Sequence, residues 1–147
     1  MPLNDASLGR GAEEDLEHFR DPFAVLAALR PITRAGSAVF IYTTNADSLS
    51  HRIFADDWER YCDWTHHGID RVSVRTLREA FAPPHWELVR LTTDTFWAGD
   101  AGPLVATVRD WFAADARFRR LIAERDLGDF LLCVAVRRQV ADELGAW

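Results

Sequence analysis

A layered α/β sandwich is the fold class this sequence predicts, and three observations predict it. Three short apolar runs rich in branched and aromatic residues, Ala38–Thr43, Trp86–Thr93 and Phe130–Val136, read as strands. The stretches around them carry apolar residues at helical spacing. Proline and glycine punctuate the joins at Pro31, Pro83-Pro84 and Gly102-Pro103. Alternation of this kind stacks helices on a sheet.

Each element follows from its residues. Residues 1–14 show no apolar periodicity and are expected to form a poorly ordered lead-in to one domain over 15–147. Asp21-Pro22 opens a helix, since the carboxylate caps free amides and proline suits the first helical position. Phe23, Leu26 and Ala27 mark one face of that helix, and Pro31 ends it. Ala38–Thr43 is nearly unbroken in its apolarity, as a strand covered on both faces should be. A long connection over 45–72 holds a helical turn near Ser48–Phe54. Ser73–Phe81 is a short helix with an ordinary cap, because no glutamate or glutamine stands three residues after the serine.

Gly102-Pro103 starts the longest predicted helix. Leu104, Val108, Trp111, Phe112, Phe118, Leu121 and Ile122 form its stripe, which is expected to be core, with Gly128 closing it as a C-cap. Phe130–Val136 is the most apolar strand and should be central. Arg137–Trp147 ends the chain as a short helix.

Composition narrows the function classes. With 147 residues, 48% hydrophobic and 27% charged, the chain has the make-up of an ordinary globular domain. A net charge of -6 argues against nucleic acid, which calls for a basic stripe. The arginines of Arg117–Arg120 and Arg137-Arg138 lie beside acids and read as solvated ends. Cys62 and Cys133 make no disulfide framework. No secretory signal and no membrane span is evident, so a cytoplasmic protein is expected.

Asp15-Leu16-Glu17-His18-Phe19-Arg20-Asp21-Pro22, then Asn45–Ser50 directly behind the apolar strand, then Thr65-His66-His67 occur in a telling order. In order and spacing they resemble the second half of a class I S-adenosylmethionine-dependent methyltransferase, of the ubiquinone and secondary-metabolite type. The resemblance covers roughly residues 15 to 138 and implies a partial Rossmann-like sandwich. Its three main strands would be the fifth, seventh and sixth of the family, in that spatial order, with the last antiparallel. The family's proline before the asparagine is Thr44 here. The glycine-rich turn and the acidic ribose-binding residue of the cofactor half have no counterpart; Gly9-Arg10-Gly11 follows no strand-forming run.

The sequence therefore reads as a truncated methyltransferase-like protein. Partner-dependent methyl transfer, or an accessory role without catalysis, is expected, and S-adenosylmethionine would bind only with a partner. That partner, a second copy or a separate cofactor-binding chain, would pair with the edge strand 38–43. A non-catalytic interaction protein, or an isomerase or cyclase using the 58–70 loop, stands as the alternative. Ligands in open α/β sheets lie beyond the carboxyl ends of the strands. The resemblance thus implies Glu17, His18 and Asn45 as cofactor-side residues and His66 and His67 as candidate general bases. Trp58, Tyr61 and Trp64 would wall the acceptor pocket with apolar surface. His66, His67, Asp63 and Asp70 match no familiar zinc spacing, so no metal is expected.

Overall fold

A computed structural model describes residues 12–13, 16–55, 58, 64–94 and 103–140. Four strands form one sheet: β1 (Ala12–Glu13), β2 (Ala38–Thr44), β3 (Trp86–Asp94) and β4 (Phe130–Arg137), in the order β1-β2-β4-β3. β4 runs antiparallel to both of its neighbours, and β1 runs parallel to β2. The helices are α1 (Pro22–Ile32), α2 (Leu49–Phe54), α3 (Val74–Ala80), α4 (Pro103–Ala114) and α5 (Ala116–Glu124). The domain is mixed α/β, as expected, with the most apolar strand at the centre.

Two features of the chain's beginning depart from expectation. Within the 1–14 lead-in, Ala12 and Glu13 are a strand, opposite Ile41 and Tyr42 of β2; the rest of that segment lies outside the described residues. The outer edge of β2 is therefore paired at these two positions.

Cross-strand pairing sorts the side chains. Val39 faces Ala135, Ile41 faces Cys133 and Thr43 faces Leu131, which puts these residues on one face of the sheet. That face meets Leu26 of α1, Val74 and Leu77 of α3, and Phe81 just beyond it, in the main core. Phe81 packs edge-on against Trp86, with ring centroids 5.2 Å apart. β3 joins the core through Leu88 opposite Ala135 and Leu91 opposite Cys133. Those two leucines are three apart, which alternation forbids, and a bulge at Val89 restores the register. On the other face Tyr42 stacks on Phe130 at 4.9 Å, while Phe40 stays exposed.

Local chemistry explains the helix ends. Asp21 caps α1 by accepting from the Ala24 amide at 3.1 Å. Ser73 caps α3 in a reciprocal box, because the Thr76 hydroxyl accepts from the Ser73 amide at 2.8 Å. The cap is thus not the ordinary one expected, because threonine takes the place of glutamate or glutamine in the box. The predicted long helix is two helices. Asp115 interrupts it and caps α5 through the amides of Arg117 and Phe118, and these bonds hold its carboxyl below the ordinary range. Phe112 and Phe118 stack across the break, 4.3 Å apart. The stripe predicted as core is largely outside it: Leu104 and Trp111 are 76% and 72% exposed, and Ile122 is the member that is buried.

Gly128 is not the C-cap. α5 ends at Glu124, with Asp126 in the left-handed region at φ 56, and Gly128 lies where two backbones nearly touch. A Cβ on Gly128 would sit 2.5 Å from the Asp94 carbonyl oxygen. The expected terminal helix is absent at its start, since Arg137 ends β4 and 138–140 are not helical; 141–147 lie outside the described residues. Among the described residues no helix is long and apolar enough to cross a membrane.

Cys133 is wholly buried in the core, and burial pushes its thiol up to about 12. The folded value lies above the ordinary 9.0, so its ionisation lowers stability as pH rises from 9.0 toward 12 and has no effect at neutral pH. Native protein at pH ~8 is expected to leave Cys133 unalkylated by iodoacetamide, with complete labelling in urea, read by peptide mass spectrometry. Labelling of the native chain at the rate of a free thiol would contradict this packing.

Candidate functional site

The carboxyl end of β2 organises the site. Residues Leu16–His18 form one 3-10 turn directly after β1, and this turn packs beside β2. Glu17 is buried there, and its Oε2 accepts from the Thr43 hydroxyl at 2.7 Å. Its other oxygen, Oε1, is buried and has no hydrogen-bond partner among the described residues. An unpartnered buried carboxylate oxygen is costly and calls for a reason.

The loop over 64–72 folds back onto this turn. The Gly68 amide donates to the Glu17 carbonyl at 2.8 Å, and Arg71 reaches the Arg20 carbonyl at 3.0 Å. Gly68 is required by contact, because a Cβ there would run into the Phe19 carbonyl oxygen. The consequence is a meeting of three donors. The His18 and His66 rings lie 4.7 Å apart, and one ligand-type atom each of Glu17, His18 and His66 falls within 4.8 Å of the others. His18 Nδ1 faces the Thr65 carbonyl at 3.3 Å. A carbonyl only accepts, so Nδ1 carries the proton and Nε2 the lone pair.

Not every residue singled out from the sequence arrives here. His66 is half-buried in the cluster, whereas its neighbour His67 is exposed and its amide bonds the Thr65 carbonyl at 3.0 Å. Asn45 turns to the other side, where its amide donates to the carbonyls of Asp126 and Gly128 at 3.0 and 2.8 Å. Trp58 is buried and stacks on His51 at 5.4 Å. Trp64 is 84% exposed. Tyr61 and Asp63 lie outside the described residues.

No protein-family model matches this chain, and no curated protein matches it significantly.

Sequence reasoning missed Thr43, Thr65 and Gly68. Thr43 carried a signal, being a hydroxyl on the inward face of an apolar strand, where burial demands a polar partner. Gly68 carried a weaker one, a glycine directly after the histidine pair. Thr65 acts through its backbone carbonyl and leaves no signal in residue type. Together the buried carboxylate and two imidazoles can share a ligand that accepts electron pairs.

Proposed function

We propose that this chain forms the acceptor-side half of a class I methyltransferase-like domain. It would act on S-adenosylmethionine only together with a cofactor-binding half supplied outside residues 1–147. The observation that carries this reading is the order and direction of the strands. A last strand inserted antiparallel between two mutually parallel ones is what the resemblance implies for the family's fifth, seventh and sixth strands, and β2-β4-β3 has that arrangement. β1 adds to it. Its two residues run parallel to β2 on the outer side, directly before Leu16-Glu17-His18, where the family's fourth strand would end.

The cofactor-binding half would extend the sheet along the β1–β2 edge, whose pairing among the described residues is confined to Ile41 and Tyr42. The Glu17–His18–His66 cluster then lies at the strand ends where ligands of open α/β sheets gather. In the metal-free cluster His66 is the general-base candidate that the resemblance implies, since a deprotonated acceptor oxygen is the better nucleophile toward the methyl group.

The test is a calorimetric titration with S-adenosylhomocysteine. The chain alone should give no saturable heat. A fusion carrying a methyltransferase glycine-rich half, through its fourth strand, ahead of Ala12 should bind. Saturable binding by the chain alone would defeat the dependence on a second half, and a folded fusion that fails to bind would defeat the methyltransferase reading.

A further inference from the structure

We infer that Glu17, His18 and His66 form a binding site for one first-row divalent transition-metal ion, with Zn²⁺ as its representative. The donor set comes first. Two imidazoles and one carboxylate suit ions of intermediate softness, while Mg²⁺ and Ca²⁺ favour all-oxygen cages. Three protein ligands with a place left over is also the usual form of a reactive zinc site.

Two further observations point to a ligand. Glu17 is 1% exposed, and its Oε1 has no protein partner among the described residues, while Oε2 is held by the Thr43 hydroxyl. A carboxylate oriented through one oxygen and unsatisfied at the other is arranged as a metal ligand with its outer support in place. His18 shows the matching arrangement. Its Nδ1 proton goes to the Thr65 carbonyl, which fixes the ring and leaves the Nε2 lone pair for coordination.

The geometry needs a small closure. Ligand atoms around a tetrahedral zinc ion lie about 3.4 Å apart, given metal–nitrogen bonds of ~2.0–2.1 Å. The donors here are within 4.8 Å, so an approach of about an ångström completes the site. The approach falls to the loop that carries His66, because the Glu17 carboxylate is held to β2 by the Thr43 hydroxyl. The exposure of His18 leaves room for water or a further ligand at the remaining position.

This inference does not rest on the methyl-transfer reading, because Zn²⁺ and S-adenosylhomocysteine are read in separate titrations. Tag-free protein of residues 1–147, stripped with chelator, would be titrated with Zn²⁺ against a competing indicator. One equivalent is expected to bind, to raise the melting temperature and to resist a large excess of Mg²⁺. His66→Ala and the exposed His18→Ala should each weaken binding by about 10-fold or more, while His67→Ala leaves it unchanged. Co²⁺ should give visible absorption bands that vanish in His66→Ala. Absence of stoichiometric binding, displacement by Mg²⁺, or equal affinity in folded His18→Ala and His66→Ala would overturn the assignment and leave a proton-sharing cluster.

Discussion

Replacing Gly68 with alanine is expected to lower stability by about 3 kcal/mol and to abolish Zn²⁺ binding together with it. An alanine Cβ would meet the Phe19 carbonyl oxygen head-on, with Pro22 Cδ at 3.3 Å and the Leu16 carbonyl oxygen at 3.4 Å. Two of these three neighbours are backbone atoms of one short turn, so no side-chain rotation relieves the overlap. The 64–72 loop has to lift instead. Lifting it breaks the Gly68 amide bond to the Glu17 carbonyl and carries His66, two residues away, off the His18 ring.

Urea denaturation reads the first effect, and the indicator titration reads the second on protein whose far-ultraviolet dichroism is unchanged. For a chain of 147 residues the stability loss corresponds to a fall in melting temperature of about 10 °C. A loss below about 1 kcal/mol with full Zn²⁺ affinity would mean that the loop does not pack on the turn as described.

The contrast between legible and illegible parts follows the range of the forces involved. β2 and β4 are legible as strands from their short apolar runs, and the most apolar run is the central strand, but the coverage of both faces expected for β2 fails at Phe40, which is exposed. The cap of α1 is legible because Asp21 acts on an amide three residues away, and Ser48 caps α2 in the same way without having been singled out. Asp115 was the same kind of signal but was overridden by an apolar stripe that continued across it. The stripe continues across the break because Phe112 of α4 and Phe118 of α5 stack on each other.

Gly128 shows the opposite limit. A glycine near a helix end suggests a cap, yet this one is demanded by Asp94, on a strand far away in sequence, and no local rule contains that contact. The site divides in the same way. Glu17 and His18 are singled out only through the resemblance of Asp15-Leu16-Glu17-His18 to a family segment, and no local rule says that Glu17 is buried against Thr43. Choosing between His66 and His67 was not possible from a pair of identical residues. The loop's attachment at Gly68 makes the choice, through a backbone bond to a turn some fifty residues earlier. Aromatic density around Trp58 and Trp64 likewise announced contact without direction: one indole is buried on His51 and the other faces solvent.

Asn45 offers a test that separates a ligand-binding role from a structural one. Its side chain is fully buried and makes three hydrogen bonds: its amide donates to the Asp126 and Gly128 carbonyls, and its Oδ1 accepts from the Asp47 amide at 3.1 Å. These bonds tie the end of β2 to the loop that enters β4, at the point where Asp126 takes a left-handed backbone. Asn45→Ala removes all three and leaves the buried Gly128 carbonyl unsatisfied, which at roughly 1 kcal/mol per bond predicts a loss of about 3 kcal/mol. Asn45→Asp should be worse, because it sets a carboxylate against two carbonyl oxygens in place of their donor.

Denaturation midpoints measure both variants, and the methyltransferase-half fusion supplies the second reading. A structural asparagine predicts that Asn45→Ala in the folded fusion binds S-adenosylhomocysteine within about twofold of the parent, a difference well under 1 kcal/mol. A cofactor contact predicts the reverse pattern, with affinity falling while the midpoint stays near its original value. The geometry favours the first outcome, since every polar atom of the Asn45 side chain already has a partner inside the protein.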